Sequence, residues 1–527
     1  MKQSGSKGIL KNTAIVGAMT ALSRVLGLVR EMFQSRLIGA GVEQSAFTLA
    51  FAIPNMMRKL FGEGALTAAF VPVFKGEVEA QRMESARRLA RAVMTMSLLM
   101  LAAISVLAVA GLSAALHWGT AFSARTSLTL RLTRLLVPYM IFICGAAFGM
   151  GVLNALGKFA AASLMPCLLN IVWIGALGVL CFFPGMALSS RIVWVSGAIL
   201  FAGFLQMAFM FWCMKRRGVS PRPSCAGWRD PNTRLVWRNM LVAAVGAGAV
   251  QINYMLDQVL AQAAAPWAAG VIGYAERLMD LPLGIVGVAF GTVLLPTFAG
   301  CFAKDDVAGA RAAFLSSTDN LLFVMIPAAV GLGILAPDMT RVIYEGKAFD
   351  ATATVRVGRA VACYAIGLGF FGLQKTLVPW FQAQKDMKTP LAVSVKMVFL
   401  NATLNILAVL LLPEEWRHVG LAASTVFCAG VGCVWLAVLA RRKNGALGLA
   451  ALVRPVGRTL VASAAMGATL WAARSWFATR NWTGVWANVT QLGALVALGS
   501  AVYFGTHFVF ARRTFAACLR ALRRPRR

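Results

Sequence analysis

The chain is a succession of apolar stretches, each about as long as the 20 residues a helix needs to cross a bilayer. They run over 13–38, 45–75, 89–116, 130–156, 160–183, 191–214, 236–264, 267–299, 317–336, 356–380, 389–412, 417–440, 456–474 and 487–511. The gaps between them are short and hold most of the charge. Soluble domains carry about 25% charged residues, whereas this chain of 527 residues carries 13% and is 59% hydrophobic. Its mean hydropathy is +0.72. The charge deficit extends along most of the length, which excludes a soluble domain with a single anchor. The pattern predicts an all-α polytopic membrane protein of about fourteen transmembrane helices, with both termini on one side.

The charge distribution says which side. Lys and Arg number 51 against 19 Asp and Glu, a net charge of +32. In a soluble protein that excess would point to nucleic acid. Here the cations cluster in alternate gaps, at Lys75 to Arg91, Lys158, Lys215 to Arg238, Lys304 to Arg311, Lys385 to Lys388, Arg441 to Arg458 and the tail from Arg512 to Arg527. The intervening gaps, such as Gly39–Gln44, Pro184–Arg191, Ala263–Trp267 and Pro413–His418, are shorter or nearly free of Lys and Arg. The positive-inside rule then places both termini in the cytoplasm. No nucleic-acid motif accompanies the cations, so nucleic acid is not expected as a partner. The basic N-terminal segment MKQSGSKGILKN leads into an apolar run that continues to Ile38, which reads as a retained first helix rather than a cleaved signal. The ten cysteines are scattered without a CxxC or Cys/His pattern, and only three histidines are present, so no structural metal site is expected.

An internal repeat organises the chain. Ala69-Phe70-Val71-Pro72-Val73-Phe74, followed by Glu84-Ser85-Ala86-Arg87-Arg88, is echoed 224 residues later by Leu294-Leu295-Pro296-Thr297-Phe298 and Ala308-Gly309-Ala310-Arg311. The same offset carries Pro166 onto Pro390. A repeat of six helices preserves topology, giving two parallel lobes, and transporters built this way hold substrate between the halves. The expected division is an N-lobe over 1–225, a C-lobe over 226–445, two additional helices over 446–512 and a basic cytoplasmic tail over 513–527.

Ionisable residues inside the crossings are the candidate site, because each costs about 2.5–3.5 kcal/mol near a bilayer centre on insertion scales. "SRVLGLVRE" brings Arg24, Arg30 and Glu31, and "PNMMRKLFGEG" brings Arg58, Lys59 and Glu63. The seventh crossing has Asp257, and "YAERLMDLP" in the eighth has Glu276, Arg277 and Asp280. They gather in the first two helices of each repeat. At about 100° per residue Arg24 and Glu31 share a face and Arg30 lies about 120° away; Gly27 between them permits a bend. Glu276 and Asp280 share a face, with Arg277 within pairing reach of Asp280. Pro54, Gly62, Gly64, Pro282 and Gly284 loosen the same helices, as is tolerated where backbone lines a cavity. Arginine presents a planar donor fork suited to phosphate and diphosphate, so one reading is a cationic cavity for an anion. The competing reading is internal salt bridges and snorkelling. It is strongest for Arg30, which has Glu31 beside it, for Lys59 and Glu63 near an interface, and for Arg36 at the helix end. Asp257 with Asn401 and Asn405, four apart on the eleventh crossing, could hold Na⁺ or carry a proton, or form a polar cluster between helices.

Those motifs, with "AFVPVF" and "YAERLMDLPLGIVGVAFGTVLLP", closely resemble the MurJ (MviN) family of lipid II flippases in the MOP superfamily, over most of the chain. The resemblance implies two six-helix lobes, an arginine-lined central cavity, and a hydrophobic groove formed with the last two helices. It implies that Arg24, Arg30, Arg58 and Arg277 are cavity arginines, with Glu31, Glu276 and Asp280 at acidic positions. The family often has an acidic residue before "AF" at the start of the second helix, where this chain has Ser45. Asn405 stands where some relatives have an acidic residue, which weakens a sodium site. The implied activity is transport of lipid II, the undecaprenyl-pyrophosphate-linked peptidoglycan precursor, from the cytoplasmic to the periplasmic leaflet of the bacterial inner membrane, beside membrane lipids and cell-wall synthesis proteins. No P-loop is present and no cofactor is expected; Na⁺, H⁺ or the membrane potential would supply the energy. Other classes make different demands. A drug or cation antiporter needs an acidic, aromatic site, and a membrane enzyme needs clustered Asp and His. A scaffold for cell-wall synthesis would tolerate loss of the arginines.

Overall fold

The computed structural model describes residues 2–119, 122–224, 227–291, 293–480 and 484–510. Every regular element among them is a helix: α1 (Lys2–Ile38), α2 (Val42–Met57), a π-helical segment (Arg58–Ala65), α3 (Leu66–Glu79), α4 (Met83–Trp118), α5 (Ala124–Leu136), α6 (Tyr139–Ala155), α7 (Phe159–Leu180) and α8 (Leu188–Arg216). There follow α9 (Pro231–Ala264), α10 (Ala268–Gly291), α11 (Leu294–Phe302), α12 (Val307–Tyr344), α13 (Ala351–Ala383), α14 (Lys388–Leu411), α15 (Glu414–Asn444), a 3-10 turn (Leu449–Leu452), α16 (Val453–Ala478) and α17 (Val485–Phe510). The tail from 511 lies outside the described residues, as do Cys225 and Cys518.

Ten of these stretches are long and apolar enough to cross a membrane: α4, α5 with α6, α7, α8, α12, α13, α14, α15, α16 with its preceding turn, and α17. The four expected crossings outside that set are 13–38, 45–75, 236–264 and 267–299. Those four carry the candidate ionisable residues, and 45–75 is divided by the π segment into α2 of 16 residues and α3 of 14.

The chain forms two compact units. One holds Met1–Gly270 with Gly346–Phe349, the other Val271–Glu345 with Asp350–Arg527. The first unit extends beyond the expected lobe boundary at 225 because α9 packs on α2, the π segment and α3. Its aromatic core includes Phe70, Phe74 and Phe148, all buried, with Phe70 and Phe148 ring centroids 4.8 Å apart. In the second unit Trp380 is met edge-on by Phe298, Phe302 and Phe314 at 5.5, 5.1 and 5.5 Å, an arrangement favoured by the ring quadrupoles.

The repeat reappears in packing and backbone. Phe74 and Phe298, 224 residues apart, are each fully buried in their own unit, as are Ala86 and Ala310. Gln81 and Asp305, at the same offset, both adopt positive φ, 57° and 55°, in the turns before α4 and α12. Non-glycine residues rarely enter that region, so the shared turn is a stronger signature than the apolar matches.

Candidate functional site

In the first unit the polar groups of α1 are bound to α7. The Arg30 guanidinium carbon sits over the Trp173 ring, 4.4 Å from its centroid. Its Nη1 donates to Asn170 Oδ1 at 2.9 Å, and its Nη2 donates to the Glu31 carboxylate. Asn170 in turn donates from Nδ2 to the Ser23 carbonyl at 3.1 Å. The run continues through Trp173 Nε1 to Gln34 Oε1 at 3.0 Å and Gln34 Nε2 to Gln44 Oε1 at 3.0 Å, joining α7 to α1 and α1 to α2. The side chains of Arg30 and Glu31 are only 11% and 13% exposed, so in apolar surroundings these bonds offset a large desolvation cost. The Arg30 guanidinium is thus held by three partners. Arg24 is exposed two turns earlier on α1, which runs unbroken through Gly27.

Arg58 opens the π-helical segment and donates from Nε and Nη2 to Asn55 Oδ1 at 3.2 and 3.0 Å. The segment ends where the Leu66 N–H reaches the Phe61 carbonyl, five residues back. Such wide turns are rare and recur at functional sites. Pro54 lies one turn upstream inside α2 and cannot donate to the helix ladder, so the irregular backbone falls where the sequence places its prolines and glycines. Next in the chain, the Lys59 ammonium sits 5.2 Å from the Tyr254 ring centroid on α9. Ser45 Oγ accepts from the Gly270 N–H at 2.9 Å; a neutral hydroxyl does at this position what hydrogen bonding alone requires.

Asn170, Trp173 and Gln34 carry no charge and so do not stand out in an apolar sequence as the arginines do. An asparagine in the otherwise apolar α7 was the available signal, since intramembrane amides are held by partners.

In the second unit Arg277 and Asp280 are exposed on α10 and Glu276 is half-buried. Leu278, Leu281 and Pro282 of the same helix line an apolar groove of about 350 Å³, completed by α12, α16 and α17. At 100° per residue Glu276 and Asp280 point away from that lining face, and Arg277 flanks it. One helix therefore presents charge on one side and a hydrophobic wall on the other.

Of the residues weighed for a cation, Asp257 belongs to the first unit and accepts from Asn253 Nδ2 at 3.3 Å. Asn401 and Asn405 belong to the second, both buried, with Asn405 Nδ2 donating to Asn401 Oδ1 at 3.0 Å and Asn401 Nδ2 to Thr425 Oγ1 at 3.5 Å. The Asn401 oxygen, a hard donor suited to Na⁺, thus already has an amide partner. Among the described residues no three His, Cys, Asp or Glu side chains gather as a metal site.

This helical architecture is shared with solved membrane transporters. A lipid II flippase MurJ in an inward-closed conformation superposes with a TM-score of 0.75, covering 95% of this chain and 100% of that one at 21% identity. An inward-facing multidrug-resistance MATE transporter of the MOP superfamily gives 0.67 over 82% of this chain and 98% of that one at 15% identity. The fold is the one these two transporters share. A family model described as lipid II flippase MurJ matches residues 34–489. A probable lipid II flippase MurJ of Rhizobium tropici is 32% identical over 98% of this chain and 97% of its own length, and a lipid II flippase MurJ of Burkholderia cenocepacia is 31% identical over 94% and 96%. The chain belongs to the MurJ family of lipid II flippases.

Proposed function

We propose that this multi-pass inner-membrane protein carries lipid II from the cytoplasmic to the outer leaflet. The observation that carries the reading is membership of the MurJ family along nearly the whole chain. A flippase moves its substrate without making or breaking a covalent bond, so this is a transporter and not an enzyme. In this reading Arg24, Arg30, Arg58 and Arg277 line a cavity between an N-lobe (1–225) and a C-lobe (226–445). There they offset the cost of taking a diphosphate out of water. The groove on α10, α12, α16 and α17 takes the prenyl chain. Fourteen crossings with both termini cytoplasmic follow from the charge of the gaps, and rocking of the lobes gives alternating access. The membrane potential, worth about 2.3 kcal/mol per charge per 100 mV, or an ion at Asp257, Asn401 and Asn405 supplies the drive. Cell-wall synthesis proteins are the partners in this reading.

The test is lipid II translocation by proteoliposomes bearing the wild type or Arg58→Ala. Loss of a charged donor at the diphosphate should slow translocation at least tenfold. Unchanged flux with normally inserted Arg58→Ala protein would overturn the cavity assignment. Replacing Asp257 with Asn while varying Na⁺ tests the coupling site; an unaltered ion response removes it.

A further inference from the structure

The groove of the second unit is lined by apolar and uncharged side chains, and an ion pair stands about one helical turn from its lining residues. Leu335 and Met339 of α12 and Leu470 of α16 are among its lining residues. Asp338 follows Leu335 by three positions and Arg474 follows Leu470 by four, spacings that keep both on the groove side of their helices. Arg474 Nε donates to Asp338 Oδ2 at 2.6 Å. The pair uses one nitrogen of the fork; among the described residues the other two make no hydrogen bond. The Arg474 side chain is 37% exposed and that of Asp338 13%. Close by in the chain, Arg341 pairs with Glu345 at 3.6 Å along α12, and the Arg480 guanidinium rests 4.8 Å from the Trp476 ring centroid. Three arginines thus stand against two carboxylates in these segments.

An apolar slot with a guanidinium one helical turn from its lining, two of whose donors make no hydrogen bond among the described residues, matches an amphiphile with a hydrocarbon chain and a phosphate head. The volume of about 350 Å³ suits a stretch of hydrocarbon chain, which the single chain of a prenyl lipid supplies. We propose that Arg474 is a second anion seat, distinct from the cavity arginines, for the diphosphate of a prenyl lipid whose chain lies in the groove. Asp338 is its built-in competitor, holding the guanidinium when no lipid is there and yielding when one arrives. This rests on the reading of the groove as the chain's path. It adds a place where the head group rests at the end of α16 and is then let go as Asp338 recaptures the arginine.

The test is equilibrium binding of undecaprenyl pyrophosphate to the full chain in phosphatidylcholine nanodiscs. Arg474→Ala should weaken binding roughly tenfold. Arg474→Lys, which keeps the charge but loses the fork, should fall between it and the wild type. Asp338→Asn removes the competitor and should bind at least as tightly as the wild type. Ser500→Trp, which fills the groove, should weaken the lipid. The proposal is overturned if Arg474→Ala binds like the wild type. It also fails if Asp338→Asn and Arg474→Ala weaken binding alike, which makes the pair a mere clasp between α12 and α16. Displacement of the prenyl lipid by phosphatidylglycerol at equal concentration would overturn it too. Should Arg474→Ala fail to insert, the Lys and Asn variants carry the same decision. Wild-type translocation of lipid II is measured in parallel. Its absence sinks the transport reading, whereas its persistence with an indifferent Arg474 sinks the seat alone.

Discussion

Asn170 shows how much a single amide can organise inside a membrane. It receives the Arg30 guanidinium on one side and gives its own N–H to the Ser23 carbonyl on the other, tying two turns of α1 to α7. Asn170→Ala would leave Arg30 half-buried with one acceptor fewer, at a cost of about 1–3 kcal/mol. That should appear as a lower thermal midpoint in detergent, with Asn170→Asp, which keeps an acceptor, closer to the wild type. The sequence announced the arginines because charge is conspicuous among apolar residues, and it announced Glu31 as a neighbour for Arg30. It did not announce Trp173, because an aromatic residue in a crossing has the same appearance whether it faces lipid or underlies a cation.

At the scale of elements, turns rather than helices hold the specific information. Gly39, just past α1, has φ of 83°, and a Cβ built there would lie 2.1 Å from the Ala348 carbonyl oxygen. Gly39→Ala therefore combines a left-handed backbone, worth about 1–2 kcal/mol, with a clash against backbone that cannot turn aside. A fall in thermal midpoint of several degrees is expected, and an unchanged midpoint would contradict the packing. The turn between α13 and α14 makes a different prediction. Asp386 accepts from Lys443 Nζ at 2.7 Å and from the Thr389 N–H and hydroxyl at 3.0 and 2.9 Å. The Lys443 hydrogen bond is the largest cause of its carboxyl falling from 3.8 to about 2. A depressed carboxyl stabilises the fold above its unfolded value and ceases to do so as pH falls through the folded one. The difference in thermal midpoint between wild type and Asp386→Asn should hold at neutral pH and shrink between about pH 4 and pH 2. Helix positions were legible because apolar length is a robust signal. The π segment was announced as an irregularity by Pro54, Gly62 and Gly64 though not as a wide turn, and the break of α5 and α6 at Pro138 was not legible inside the run 130–156.

For the whole molecule, the orientation proposed from gap charges can be read with a native probe. Cys181 is exposed at the end of α7, in the connection to α8, which the topology places outside the cytoplasm. A membrane-impermeant maleimide applied to intact spheroplasts should label the wild type and lose most of that signal in Cys181→Ser. Labelling of Cys181 only after lysis would invert the topology. The duplication was legible from Pro72 and Pro296, and the paired positive-φ turns at Gln81 and Asp305 give it a backbone basis that apolar matching alone lacked. The packing of α9 with the first unit was not legible, because a repeat fixes ancestry along the chain and says nothing about which neighbour a helix leans on.

Arg30 already has an aromatic face, an amide and a carboxylate around it. An anion arriving there exchanges partners instead of meeting a bare cation, so its net gain is the difference between two sets of bonds. The carboxylate also offsets the guanidinium's charge, so such a residue holds an anion less tightly than an unpaired arginine would. In the proposed transport cycle this would be an advantage: departure of the cargo would be assisted by partners waiting to re-form.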